Sequence, residues 1–460
     1  MSAPIAPGRV LPTLNADGTR RRIRPRLYQG PHHSHRRVTA WILMLLFAGI
    51  PWVEVGKKPL VLLDLPRREF TFFGRTFLPT DGVLLMLLLL AIFVAIIWTT
   101  ALVGRAWCGW ACPQTVYMEF LFRPIERLFE GRREDQLRLD RAGGGWRRFA
   151  KNVTFLLIAF VLANVFLSYF VGVKTLIGWT KLSPLEHWTP FLVVAVTTGL
   201  VFFDFAFFRE QMCTVVCPYA RIQSVLLDKS SLIIGYDKLR GEPRTKGKPK
   251  AGRGDCIDCG ACVAACPTGI DIRDGLQLEC IACAQCADAC DTIMLKVKKP
   301  LGLIRYGSQT TLETQKATKV LRPRVVIYPV MLVALLAALV AMGAKRRDAE
   351  VTVLRGIGAP FALDGERVTG ELRIKVQNRT DHGARYRLEL VGAPNVRLIA
   401  PENPLDVASG AQRTTAVFAV APRSEFVGGR REIVVRVSDA QGFSVNVPYR
   451  LLGPTEETQP

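Results

Sequence analysis

The stretch "GVLLMLLLLAIFVAIIWTTALVGRAWCGWACP", residues 82–113, decides the architecture. Its first part, 82–104, is an apolar run long enough to cross a bilayer, which takes about 17–25 residues of helix. Its last part places Cys108 and Cys112 four apart and closes them with Pro113. A second copy, "EQMCTVVCPYA" (210–220), follows another apolar run and carries Cys213, Cys217 and Pro218. The copies lie 105 residues apart, and each leads into an amphipathic segment, "VYMEFLFRPIERLFEG" and "ARIQSVLLDKSSLIIG". This pattern predicts a weak parallel repeat of two-span units.

Working outward, five runs qualify as spans: roughly 38–56, 82–104, 152–173, 190–208 and 325–343. Residues 1–37 are polar and Arg-rich, and no small-residue cleavage site follows, so the first run reads as an uncleaved anchor. Lys and Arg then give the orientation. They number 8 in the head (1–37), 5 in 57–81, 10 in 105–151, 2 in 174–189 and 19 in 209–324. One side therefore carries 37 and the other 7, and the basic side is cytoplasmic. Most of the net charge of +22 is this asymmetry, which removes the reason to expect a nucleic-acid partner. A membrane domain at 38–236 follows the head.

The loop 209–324 contains "DCIDCGACVAACPTGI" and "ECIACAQCADACD". These give Cys256, Cys259, Cys262 and Cys266, then Cys280, Cys283, Cys286 and Cys290, each set as C-x-x-C-x-x-C-x-x-x-C. This is the bacterial two-cluster ferredoxin spacing, in which the fourth cysteine serves the other cluster. The expected ligand sets are crossed: Cys256, Cys259, Cys262 and Cys290 for one [4Fe–4S] cluster, and Cys280, Cys283, Cys286 and Cys266 for the other. The small residues Gly260, Ala261, Ala265 and Ala282 leave room for clusters near the backbone. Zinc is the competing reading, and disulfides do not suit a reducing compartment. The expected ferredoxin-like α+β domain is 255–299. A basic Gly/Pro-rich linker (237–254) precedes it, and a connector (300–324) follows.

If each span's helix runs on through its thiol pair, residues i and i+4 share a face and two thiols can chelate one soft ion. Proline would then end or kink the helix. Thiolates suit Cu(I), zinc or an iron–sulfur cluster, and Met212 adds a thioether. A dithiol could also cycle to a disulfide, or the cysteines could simply pack at helix ends. Asp204 is an intramembrane carboxylate, a position often used for proton or metal handling, although it lies near enough to the surface to snorkel. His32, His33 and His35 are a second, weaker metal candidate. Trp41, Trp52, Trp107, Trp110, Trp179 and Trp188 read as an interfacial belt. Residues 350–453 alternate apolar and polar over about seven short strands, which predicts an all-β immunoglobulin-like sandwich on the periplasmic side.

Taken together, "WCGWACPQTVYMEF" (107–120), "REQMCTVVCPYARIQSV" (209–225), "YDKLRGEPR" (236–244), the two ferredoxin runs and "GLIRYGS" (302–308) resemble the FixG/CcoG-type cytochrome c oxidase accessory proteins. The resemblance runs from the first span to the sandwich. It implies reduction of Cu(II) to Cu(I), with copper as substrate or bound ion, for assembly of the C-type (cbb-type) haem–copper oxidase of the bacterial inner membrane. It also implies that Cys108, Cys112, Cys213 and Cys217 are the metal-handling, catalytic thiols. Expected partners are inner-membrane lipid, oxidase subunits or copper chaperones, and an electron donor the sequence does not identify. Two other readings stay open. One is a ferredoxin-type quinol dehydrogenase or electron-transfer subunit. The other is a non-enzymatic assembly scaffold.

Overall fold

The computed structural model describes residues 13–454, apart from residues 16, 18, 57, 66–68, 78–81, 144, 182, 184, 187, 247–251, 317–320, 346 and 381. The start of the expected head (1–12) and the middle of the expected linker (247–251) therefore lie outside the described residues.

Among the described residues, four helices are long and apolar enough to cross a membrane: Gly82–Val103, Trp146–Val171, Trp188–Phe208 and Pro323–Ala344. Their apolar side chains point outward, as at Leu89, Phe93, Val161, Leu200 and Val333. That arrangement suits lipid rather than water. The first expected span differs. The helix Pro31–Gly49 ends seven residues before position 56, and a 3₁₀ turn (Ile50–Trp52) and the strand pair Glu54–Val55/Lys58–Pro59 follow it. Its apolar part, 38–49, is about 18 Å long at 1.5 Å per residue, shorter than a hydrocarbon core of about 30 Å.

The membrane region is held together at its basic end. Phe122 stacks on Phe205 at 4.4 Å and meets Phe155 edge-on at 4.8 Å. Ala159 and Ala163, fully buried on Trp146–Val171, let a neighbouring helix approach closely. Beside this core lies a buried ion network. The Arg209 guanidinium donates two bonds of 2.9 Å to Glu126. Arg24 reaches Glu126 at 2.5 Å and Asp140 at 3.0 Å, and Lys151 reaches Glu130 at 2.8 Å. Burial would raise the Glu126 carboxyl, but Arg209, Arg24 and Lys151 outweigh it and hold the group well below the usual range.

The cysteine-rich segment is closed by two strands that reach outside 255–299. Leu232–Tyr236 pairs antiparallel with Ile304–Ser308, with Ile234 opposite Tyr306. Inside this clasp lie the helices Ala261–Ala265 and Gln285–Lys296.

The C-terminal unit is a two-sheet sandwich. One sheet orders its strands as Arg397–Ile399, Gln412–Pro422, Arg367–Asn378 and Ala349–Arg355, with Ala362–Asp364 also on Arg367–Asn378. The other runs Leu405–Val407, Ala384–Val391, Arg430–Ser438 and Ser444–Leu452. Alternate residues face inward, so Leu372, Ile374 and Val376 meet Leu388, Val435 and Val437 in one core.

Candidate functional site

The two Cys–Pro motifs begin in the same way. Each follows a residue in the left-handed region, Gly104 (φ 58°) and Arg209 (φ 53°), 105 positions apart. Gly104 has no alternative, because a β-carbon there would stand 2.1 Å from the Leu232 carbonyl oxygen. At Arg209 the positive φ is a strained conformation for a residue with a β-carbon, costing about 1–3 kcal/mol, and the two hydrogen bonds to Glu126 hold it.

This geometry corrects the expectation that the spans continue through their thiol pairs. The second span stops at Val103, Cys108 sits in a separate short helix (Ala106–Trp110), and Cys112 is the N-cap of Pro113–Tyr117. In the second copy Cys213 lies in a π turn (Met212–Val216), and Cys217 is the N-cap of Pro218–Leu226. Each proline therefore opens the next helix instead of ending the last one. It takes the first helical position, where its missing N–H costs nothing. The shared-face argument for i and i+4 does not apply, but the thiols of the two motifs lie near enough to act on one another electrostatically. Burial, then the closeness of Cys112, Cys108 and Cys217, pushes the Cys213 thiol well above its ordinary range. Burial also raises Cys108 and Cys112.

Side chains of both copies knit this neighbourhood. The Cys108 thiol donates to Gln223 Oε1 at 3.2 Å, and Gln223 Nε2 donates to Thr100, Gly104 and Tyr219. Gln114 Nε2 donates to Asp204 Oδ1 at 3.1 Å and to the Arg209 carbonyl at 3.1 Å. Asp204 is thus a tie between the two motifs.

The eight ferredoxin cysteines line two cavities. Cys266, Cys280, Cys283 and Cys286 line the first, which Cys262 also touches. Cys256, Cys259, Cys262 and Cys290 line the second. The loops repeat their backbone conformation as well as their spacing. Asp258 and Gly260 in one run, and Ala282 and Ala284 in the other, all have positive φ. The turns curl each C-x-x-C-x-x-C loop around its cavity. Three of these four residues carry a β-carbon, so the conformation is maintained at a cost. Burial pushes the Cys280 and Cys262 thiols up to about 12. Among the described residues no group of three His, Cys, Asp or Glu side chains could hold a single metal ion. The backbone N–H groups of His32 and His33 donate to Asp288 at 3.2 and 2.7 Å, so this carboxylate caps the first helix.

The ferredoxin segment sits directly on the thiol neighbourhood. Cys108, Ile281 and Cys283 form one buried cluster, with Tyr219 against it. A β-carbon on Gly109 would lie 2.5 Å from the Ile281 carbonyl oxygen. Trp110, expected in an interfacial belt, instead donates its indole N–H to Tyr306 Oη at 2.8 Å, and Tyr306 donates to the Ala282 carbonyl. A small cavity is lined by Cys213 and Gln114 together with Pro267, Thr268 and Ile281 of the ferredoxin segment. Sequence reasoning missed these docking residues, because the contacts of Asp288 with the first helix, of Trp110 with Tyr306 and of Gly109 with Ile281 each join positions more than a hundred residues apart.

Comparison with known proteins agrees with this layout. A 4Fe-4S dicluster domain model matches residues 208–309, a 4Fe-4S binding domain model matches 85–132, and the model described as an IG-like fold at the C-terminal of FixG, putative oxidoreductase, matches 339–454. The chain is 33% identical to protein RdxA of Cereibacter sphaeroides over 437 residues, covering 88% of this chain and 92% of that protein. It is 33% identical to RdxB of the same organism over 398 residues, covering 81% and 83%. It is also 38% identical to the nitrogen fixation protein FixG of Rhizobium meliloti over 312 residues, covering 63% and 57%.

Proposed function

Since this chain belongs to the FixG-type family of cytochrome c oxidase accessory proteins, we propose that it is a cupric reductase serving assembly of the C-type (cbb-type) haem–copper oxidase. The coarser statement stands on the family itself: this is an iron–sulfur electron-transfer protein with membrane helices. Cys256, Cys259, Cys262 and Cys290 would hold one [4Fe–4S] cluster, and Cys266, Cys280, Cys283 and Cys286 the other. The two cysteine-lined cavities and the repeated left-handed turns support that fit. When bound, the clusters supply one-electron transfer.

Cys108, Cys112, Cys213 and Cys217 receive copper as substrate. Cu(II) takes up one electron, drawn in the end from a cytoplasmic donor or a quinol, and leaves as Cu(I), the state that soft thiolates favour. Gln223 positions Cys108, and the N-cap placement of Cys112 and Cys217 fixes their backbones. One observation carries this reading: Cys108 is buried in one cluster with Ile281 and Cys283. A metal-handling thiol and a proposed cluster ligand share one buried cluster.

The basic asymmetry supports placing the ferredoxin segment in the cytoplasm and the sandwich, a partner-docking module, in the periplasm. The Pro31–Gly49 helix with its 3₁₀ extension would be a fifth, short span. Reporter fusions at Gly252 and Gly410 should read inside and outside.

The deciding experiment is anaerobic purification, reduction and Cu(II) titration, with Cu(I) captured by a specific chelator. Stoichiometric Cu(I) supports the reading, and none overturns it. A second reading is favoured by the 4Fe-4S match over 85–132, which includes Cys108 and Cys112: the four thiols of the two motifs hold a further iron–sulfur cluster. Iron analysis separates the two, since a further cluster would bring about twelve iron atoms per chain and the copper reading about eight.

A further inference from the structure

Two buried arginines lie against the cysteine set nearer the membrane region. Arg36 is fully buried, and its Nε donates to the Gly109 carbonyl at 2.8 Å. Both its Nη atoms are without a hydrogen-bond partner, and the guanidinium lies 5.3 Å from the Phe120 ring centroid. Arg105 is 4% exposed; its Nη1 donates to the Leu278 carbonyl, two residues before Cys280, and its Nε has no partner.

Among the described residues, neither arginine pairs with a carboxylate. Glu119, which acts on Cys283 together with Arg36, is bound to Arg123. Asp288 is engaged by the first helix's N–H groups. Arg123, Arg209, Arg24 and Arg273 all have acidic partners, which makes Arg36 and Arg105 unusual in this unit. A buried unpaired charge is costly, and the cost is relieved by an anion.

The missing anion is suggested by position. Gly109, whose carbonyl Arg36 binds, is so close to Cys283 that a β-carbon on it would be 2.9 Å from the Cys283 nitrogen. Arg105, through the Leu278 carbonyl, is likewise held two residues from Cys280, and it also reaches the Cys108 thiol that shares a buried cluster with Cys283. The other set is different. Arg273, the base acting on Cys262, is neutralised by Asp271 at 2.6 Å and Asp258 at 2.5 Å.

We propose that Arg36 and Arg105 are the charge partners of the cluster that Cys266, Cys280, Cys283 and Cys286 would hold, and that they set its reduction potential above that of the second cluster. This rests on the two-cluster reading above. A cubane bound by four thiolates is a net anion and gains one more negative charge on reduction. Uncompensated positive charge in a low-dielectric site therefore stabilises the reduced form more than the oxidised form. Both arginines belong to the membrane region, in the first helix and just past the second. The potential is thereby tied to docking of the ferredoxin segment.

The test is an EPR-monitored redox titration of the full chain in detergent, with iron content measured alongside. Cys259→Ala and Cys283→Ala assign the two signals. Arg36→Gln and Arg105→Gln should each lower the reduction equilibrium constant of the Cys283-ligated cluster about tenfold, 59 mV for a one-electron couple. The other signal should stay in place, and Arg36→Lys should recover most of the shift. A merely structural role would not be rescued by charge or confined to one signal.

Unchanged potentials in both Gln variants, or equal shifts of both signals, overturn the proposal. It also fails, whatever the arginine variants do, if the cluster surviving in Cys259→Ala titrates below the one surviving in Cys283→Ala. Wild-type protein lacking two clusters' worth of iron would instead refute the reading beneath it.

Discussion

Gly109 lies so close to Cys283 that a β-carbon on the glycine would stand 2.9 Å from the cysteine's amide nitrogen and Cα. The Ile281 carbonyl would be closer still, at 2.5 Å, and neither group is the end of a flexible side chain. Gly109→Ala should therefore push the ferredoxin segment off the membrane thiols, at a cost of about 1–3 kcal/mol for an overpacked contact. Clusters should still load, because the nearest atoms the new β-carbon would meet are backbone atoms of Ile281 and Cys283, not a ligating sulfur. Cu(II) reduction should slow at least about tenfold, since one ångström of misplacement costs far more than it appears to. Normal stopped-flow rates in cluster-replete protein would show that this contact does not govern electron delivery.

The crossed ligand sets make a prediction of their own. Cys259 and Cys283 line different cavities. Cys259→Ala should abolish one cubane EPR signal and Cys283→Ala the other, each removing about four of about eight iron atoms per chain. Stoichiometric zinc without sulfide in anaerobic preparations would defeat the assignment.

How legible this was depended on the range of the interaction. Cysteine spacing is local, so both ligand sets could be drawn from residues 256–290 alone. The sandwich was visible in the alternation of "GELRIKVQN" because one face of each strand is buried. Docking was not visible. Nothing local to Gly109 shows that residues 172–174 positions away press on it, and nothing in Trp110 distinguishes an interfacial ring from one bonded to Tyr306. The proline rule failed for a different reason. Pro113 fits either a helix end or a helix start, and the choice was made by Gly104, whose contact with the Leu232 carbonyl is long-range.

Glu126 anchors three cations, Arg24, Arg209 and Lys151. Glu126→Gln keeps the shape and leaves Arg24 and Lys151 their bonds to Asp140 and Glu130, but it strips the buried Arg209 guanidinium of its two charged bonds, which should cost about 3–5 kcal/mol. The sign with pH follows from the lowered carboxyl. Its contribution is complete above the ordinary value of 4.5 and is lost only as pH falls through the lower folded value. The gap in thermal midpoint between wild type and variant in detergent should thus be flat from about pH 8 to about pH 5 and narrow only in more acid solution. A gap that closes near neutral pH would mean another group controls this network.

The thiol pairs give the last prediction. Cys108 and Cys213 come from different repeats but share one neighbourhood with Cys112 and Cys217. Cys108→Ala and Cys213→Ala should each leave the clusters intact, weaken Cu(I) binding and slow Cu(II) reduction. If the pairs share one ion, the double variant should be little worse than either single one, because residues acting as a unit are not additive. If each pair holds its own ion, the losses should be roughly independent. Cys108→Ala also frees Gln223 Oε1 from its thiol donor, so Cys108→Ser serves as control: it keeps a donor but removes the soft ligand, and should match the alanine variant in copper affinity. A packing role predicts the opposite pattern, poor membrane insertion with normal copper kinetics in the protein that survives. Wild-type Cu(II) reduction by a folded, cluster-replete quadruple variant of Cys108, Cys112, Cys213 and Cys217 would remove copper from this site.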